Sequence, residues 1–122
     1  MQFWTFTYQC APLKDGVGLH GMAYPNTDLF PNWAIWYDQL AFTAYLSDST
    51  GKVVASSQVE FLPRKVDRDH PIPIEFRMTP DTQDQPLYVS FGYRMVLAEY
   101  PWQPDSPRQG RIHIAREGAL TQ

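Results

Sequence analysis

The chain contains 122 residues, of which 43% are hydrophobic and 19% are charged. This length and composition are typical of a folded protein with one hydrophobic core, so we expect a single domain over residues 1–122 and no long disordered region. Ten Lys and Arg residues against 13 Asp and Glu residues give a formal net charge of -3. Because nucleic-acid binding depends on many basic contacts to phosphates, this charge argues against a nucleic-acid partner.

Two further features restrict the class of protein. No apolar run approaches the roughly 18 residues of a membrane-spanning helix, and no basic and apolar leader follows Met1, so we expect no membrane span in this chain. A membrane anchor outside the chain would be compatible with the sequence. The single cysteine, Cys10, excludes an intrachain disulfide, and we expect its side chain to be buried at the end of the first predicted strand.

Short segments of alternating polarity, separated by prolines and glycines, predict β-strands throughout the chain. No segment keeps the helical spacing of apolar residues over three turns. We predict seven strands, at residues 2–10, 17–24, 40–46, 52–61, 71–78, 87–97 and 110–115. Without crossover helices, these strands are expected to form two packed sheets in an all-β, seven-stranded antiparallel β-sandwich of the immunoglobulin or fibronectin type III kind.

The third and fourth predicted strands carry two local signals. In an unbroken strand, Asp38 would share the core face with Leu40, so we expect a β-bulge or a change of sheet within residues 37–39. The turn formers at residues 47–51 predict a hairpin, in which Gly51 adopts a positive φ.

Proline and glycine also predict where the later strands lie in their sheets. Pro71 and Pro73 cannot donate hydrogen bonds to a neighbouring strand, so they are expected at the start of a strand or on a strand at a sheet edge. Strand 87–97 has no internal proline and many aromatic and β-branched residues, which favours a central position. Within it, Gly92 is interpreted as the mark of a bulge.

Five aromatic residues in or beside the predicted loops are the candidate binding residues: Trp33, Trp36, Tyr37, Tyr100 and Trp102. Exposed aromatic rings bind sugars, proline-rich peptides and protein partners; alternatively, each ring closes one end of the core. Three prolines within residues 100–107 stiffen that segment, so the loop at 99–109 is the strongest single candidate.

Metal binding has two weak candidates in the sequence. His20 and Met22 lie two residues apart on one strand face and would suit copper. Asp67, Asp69 and His70 share one loop and could contact a cation. Since neither group supplies a complete set of ligands, we predict no metal site and no cofactor.

Basic side chains near two of the loops are interpreted as solvated charges. The first group, Arg64, Lys65 and Arg68, is interleaved with aspartates, so its field largely cancels. The second group is Arg108, Arg111 and Arg116, for which an anionic partner or a lipid headgroup surface is the alternative.

The run LAFTAYLSDSTGKVVA at residues 40–55 resembles the hairpin of small bacterial β-sandwich domains of the FxLYD type. The resemblance covers this hairpin only. It implies a non-catalytic, extracytoplasmic module that is often attached to a lipoprotein or membrane anchor, and it assigns no functional residues.

No specific catalytic motif occurs in the chain: there is no G-x-S-x-G, H-E-x-x-H, C-x-x-C or phosphate-binding glycine loop. We therefore expect a non-enzymatic protein-interaction or assembly module, bacterial and periplasmic or on the cell surface, that binds a protein partner or associates with itself. The alternative is a small-ligand module that binds carbohydrate through its aromatic residues, or copper.

Overall fold

A computed structural model describes residues 2–80 and 86–118 of the chain. In chain order the strands are β1 (Trp4–Leu13), β2 (Gly16–Pro25), β3 (Trp36–Ser47), β4 (Val53–Phe61), β5 (Arg64–Lys65), β6 (Ile72–Met78), β7 (Tyr88–Ala98) and β8 (Ile112–Glu117). The first sheet has the order β1-β2-β6, and the second has the order β4-β3-β7-β8 with β5 beside β3. All of the pairings are antiparallel.

The prediction of an all-β protein with two packed antiparallel sheets is confirmed. Each of the seven predicted segments contains a strand, and the described residues add only one 3-10 helix, Thr27–Leu29, outside the strands. The number of strands in the described residues is one more than the predicted seven, because the two-residue strand β5 lies inside a predicted loop and pairs with the start of β3. Such a short strand has no alternating pattern by which a sequence could reveal it.

The core lies between the sheets, where alternate side chains of both sheets meet. Trp4 is fully buried, with its ring centroid 4.7 Å from that of Phe42 and 6.2 Å from those of Phe30 and Tyr37. Its indole N–H donates to the sulfur of Met95 at 3.4 Å. Because one aromatic ring from β1 contacts residues of the opposite sheet, Trp4 joins the two layers.

The predicted positions of two strands are confirmed. In the described residues β6 pairs only with β2, so Pro73 lies on an edge strand, where a residue without an N–H group is tolerated. Strand β7 lies between β3 and β8, which makes it central.

The predicted irregularity near Asp38 is also confirmed. The pairing of β3 with β7 shifts register between Tyr37 and Gln39, which face Leu97 and Val96 respectively. This bulge leaves Asp38 unpaired in the ladder and lets both Tyr37 and Leu40 point into the core. Asp38 is thereby free to contact a loop.

The expected hairpin of β3 and β4 forms as predicted, and Gly51 has a φ of 88°. The carboxylate of Asp48 accepts hydrogen bonds from the backbone N–H groups of Thr50 at 2.9 Å and Lys52 at 3.1 Å. These bonds close the turn, and the pKa of Asp48 lies below its usual range chiefly because the Thr50 hydroxyl also donates to it.

The prediction of a bulge at Gly92 is wrong. Gly92 pairs in regular register with Thr43. A Cβ at this position would lie 2.7 Å from the carbonyl oxygen of Glu117 and 3.2 Å from the ring of Tyr45. The glycine is therefore needed because a neighbouring strand and a ring approach closely, which local sequence does not show.

The expectation that Cys10 is buried is also wrong, because its side chain is exposed. The first half of β1 alternates as predicted, with Trp4 buried, whereas the second half is exposed on both faces. In the described residues β1 is an edge strand that pairs only with β2, so this half lacks a covering layer.

Candidate functional site

Three long connections lie at the same end of the sandwich: the β2–β3 loop (26–35), the β4–β6 loop (62–71) and the β7–β8 loop (99–111). Antiparallel strands reverse direction at each connection, so alternate connections share one end. We call this the loop end. It includes the loop at 99–109, which the sequence indicated as the strongest binding candidate.

Arg68 joins the first two of these loops. Its guanidinium donates to the backbone carbonyls of Thr27 at 3.2 Å and of Pro31 and Ala34 at 3.0 Å, and it lies 5.9 Å from the ring centroid of Phe30. Arg68 is exposed, as the interpretation of a solvated charge expects, but it is also bound to the β2–β3 loop, which the sequence did not indicate. The carbonyls it binds are more than 30 residues away in the chain, so no sequence pattern relates them to it.

Replacing Arg68 with alanine is expected to lower the free energy of unfolding by about 1–2 kcal/mol, since hydrogen bonds from a charged donor are lost at a partly exposed site. Amide exchange in the β2–β3 loop should rise as well. Denaturant unfolding and hydrogen exchange measure the two effects. The control is Lys65→Ala, a nearby exposed side chain; equal losses in the two variants would contradict this role for Arg68.

A second arginine holds the base of the β7–β8 loop. Arg111 pairs with Glu99 at 2.9 Å, its backbone N–H donates to the same carboxylate at 3.0 Å, and its guanidinium lies 5.0 Å from the ring centroid of Trp33. The side-chain hydrogen bond from Arg111 holds the pKa of Glu99 below its usual range. These contacts also join this loop to the β2–β3 loop.

A third arginine anchors the same loop to the sheet. Arg108 forms an ion pair with Asp38, the residue that the β3 bulge frees, and donates to the carbonyl of Tyr100 at 2.9 Å. The two side chains are only 25% and 15% exposed. The interpretation of Arg108 as a solvated charge is wrong, because its side chain is largely buried and bound to a carboxylate of a distant segment. Arg111 is 62% exposed, as expected, and in addition pairs with Glu99 at the other end of its own loop.

The five predicted aromatic residues divide into exposed and buried groups. Tyr100 is 51% exposed and Trp102 is 55% exposed, so both present their rings to solvent. Trp33 and Trp36 are half-buried. Tyr37 is 1% exposed and belongs to the core, where burial raises its hydroxyl pKa, so it offers no binding surface.

The β7–β8 loop borders a partly open pocket of about 200 Å³. It is lined by Tyr100, Pro101, Trp102, Gln103, Ser106, Pro107, Arg108 and Gln109. Aromatic and proline rings thus stand beside amide and guanidinium donors. Such a surface can pack against apolar groups and donate hydrogen bonds to a partner, which is the composition of the centre of many protein interfaces.

Two residues that the sequence did not identify extend this surface. Ile112 and Ile114 are exposed on the outer face of the second sheet, where they lie opposite Ala98 and Val96 of β7. Trp36 pairs with Ala98 from the other side. An apolar strip therefore runs from the β7–β8 loop along the edge strand β8.

The alternation of β8 was the available signal for these residues, but it shows only that Ile112 and Ile114 share a face. The opposite face carries His113, whose ring centroid lies 5.8 Å from that of Phe3. Because Phe3 covers the face that carries His113, Ile112 and Ile114 lie on the face that is exposed to solvent.

The metal candidates are not brought into complete sites. His20 and Met22 are exposed on β2. The Asp67 carboxylate accepts hydrogen bonds within its own loop, from the backbone of Asp69 at 2.9 Å, and contacts the His70 ring at 3.0 Å. Within residues 2–80 and 86–118, no group of three or more His, Cys, Asp or Glu side chains could hold a metal ion.

Comparison of the chain with protein-family models, with curated proteins and with solved structures finds no significant match. In the part of the chain that the structure describes, no helix has the length and apolar character needed to cross a bilayer. Fold and site together define a β-sandwich protein whose β7–β8 loop exposes two aromatic rings at one end.

Proposed function

We propose that this protein is a non-enzymatic interaction or assembly module that binds a protein partner through the loop end. One observation carries the proposal: Tyr100 and Trp102 are each more than half exposed on a loop whose base is fixed by ion pairs. An ordered loop loses less conformational entropy on binding than a flexible one, so exposed rings held in this way favour association.

The apolar strip supports a protein as the partner. Ile112 and Ile114 widen the surface beyond what a small ligand would cover, and Arg108 and Arg111 place charged groups beside it. Aromatic residues and arginine are enriched at the energetic centres of protein interfaces.

The fold type that we propose is the immunoglobulin or fibronectin type III sandwich. In support, β1, β2 and β6 occupy the positions of strands A, B and E, and β3, β7 and β8 occupy those of C, F and G. Strand β4 then lies beside β3 as strand C′ does. Under this assignment the loop end holds the B–C and F–G connections, which bind antigen in antibody variable domains.

The proposed cellular setting is bacterial and extracytoplasmic. It rests on the resemblance of residues 40–55 to domains of the FxLYD type. Fractionation of cells that express the full gene product would place the protein, and recovery from the cytoplasm alone would contradict this setting.

Replacing Trp102 with alanine is expected to weaken partner binding by about 30-fold or more, the loss typical of an exposed tryptophan at the centre of an interface. Partners would be captured from an extract of the source cells on the immobilised protein and identified by mass spectrometry. Their binding affinities would then be measured by calorimetry. The control is Tyr88→Ala, which removes an aromatic ring of similar exposure at the other end of β7. Equal affinity of the Trp102→Ala and Tyr88→Ala variants would contradict the proposal.

Carbohydrate binding is the second candidate, because the pocket bordered by the β7–β8 loop combines the Trp102 ring with the polar side chains of Gln103 and Gln109. Titration with soluble glycans, followed by tryptophan fluorescence, tests it: a saturable change that Trp102→Ala abolishes would favour this function. The same titration with copper tests the proposed pair of His20 and Met22.

A further inference from the structure

A second polar feature lies on the outer face of the second sheet, away from the loop end. Arg94 of β7 and Arg116 of β8 lie directly opposite each other in the antiparallel pairing, one row beyond Val96 and Ile114. Like charges at directly opposite positions repel, so this arrangement carries a cost in the free protein. An anion between the two guanidinium groups would remove that cost.

The two arginines line an open groove of about 390 Å³. Its other lining residues are Thr43, Tyr45, Gln58, Tyr93, Glu117 and Gly118. The next row across the sheet has Gly92 opposite Thr43, and the Tyr45 ring lies close over Gly92, so this ring forms one wall of the groove. Thr43, Tyr45 and Gln58 add hydroxyl and amide donors to the guanidinium groups.

Two carboxylates lie at the groove, and neither forms an ion pair with Arg116 among the described residues. Glu60 lies 3.7 Å from Arg94, and both side chains are more than half exposed, so the pairing is weak. Glu117 accepts a hydrogen bond from the backbone N–H of Gln2 at 2.9 Å, which holds its carboxylate toward the start of β1.

We propose that this arginine groove is a binding site for an oxyanion, a small molecule that carries a carboxylate or a phosphate group, held between Arg94 and Arg116. The planar guanidinium group donates two parallel hydrogen bonds to either of these groups. The arginine groove lies one row beyond Ile114, and a titration of the free protein tests it with no partner present.

The test is a titration of isotope-labelled protein with inorganic phosphate and, separately, with citrate, with sodium chloride at matched ionic strength as the reference. Backbone amide signals of Thr43, Gly92 and Arg94 are followed by NMR. We expect saturable shifts with at least one oxyanion and none with chloride. Saturation by phosphate alone identifies a phosphate ligand, and saturation by citrate alone identifies a carboxylate ligand.

Arg94→Gln and Arg116→Gln should each weaken this binding about tenfold, since each removes a charged pair of hydrogen bonds. Neither change should unfold the protein, because each removes a repulsion, and unchanged signals elsewhere would show this. Arg77→Gln is the control, since it removes an exposed arginine from the first sheet. Shifts that do not saturate, or that persist equally in both groove variants, would overturn the proposal.

Discussion

Replacing Trp4 with alanine is expected to lower the free energy of unfolding by about 3–5 kcal/mol, the range for a large aromatic residue removed from a packed core. Trp4 is fully buried and contacts Phe42 from the opposite sheet, so its loss leaves a cavity between the two layers. Its hydrogen bond to the sulfur of Met95 is lost too. Urea unfolding followed by circular dichroism measures the change.

Trp102→Ala provides the matched control, because the same side chain is removed from a site that is 55% exposed. Its effect on stability should stay within about 0.5 kcal/mol. A similar loss in both variants would mean that Trp4 does not join the sheets as described. A small loss in Trp102→Ala also ensures that reduced partner binding by this variant reports on the interface and not on unfolding.

Asp38→Asn is expected to have the second largest effect, about 2 kcal/mol of destabilisation, because it leaves the guanidinium of Arg108 partly buried without a countercharge. The usual cost of breaking a fully buried pair is about 3–5 kcal/mol, and the partial exposure of both side chains reduces it. Since Arg108 also holds the carbonyl of Tyr100, amide exchange within residues 100–109 should increase.

Hydrogen exchange and denaturant unfolding measure these two effects. The control is Glu75→Gln, which removes the carboxylate of an exposed pair with Arg77 at 3.9 Å and should change stability little. If the loop amides exchange equally fast in the wild type and Asp38→Asn, the ion pair does not order the loop. Because a less ordered loop loses more entropy on binding, Asp38→Asn is also expected to bind a partner more weakly than the wild type, and equal binding by the two would contradict this expectation.

The parts of the fold that depend on local spacing were predictable. The alternation of polarity predicted both β6 and β7, whose buried and exposed residues largely alternate in the structure, and Pro73 indicated an edge. The bulge near Asp38 was predictable for a related reason: a charged residue that falls on the core face requires a change of register.

The site was predictable only in part. The aromatic candidates were selected because they lie in or beside predicted loops. This criterion correctly selected Trp102, which is exposed, but it also selected Tyr37, which lies in the core. An aromatic residue beside a loop can point into the core or into solvent, and the packing of the neighbouring sheet decides between the two. Ile112 and Ile114 show the converse, since apolar alternation in an edge strand leaves open which face is covered.

The amino-acid sequence alone therefore determined the strands, the hairpin and the two-layer arrangement, because these follow from the period of two and from the conformational limits of proline and glycine. Tertiary structure decided the roles of Arg68, Arg108 and Gly92. Each depends on a carbonyl, a carboxylate or a ring that a distant segment brings within a few ångströms, and such distances arise only when the whole chain has packed.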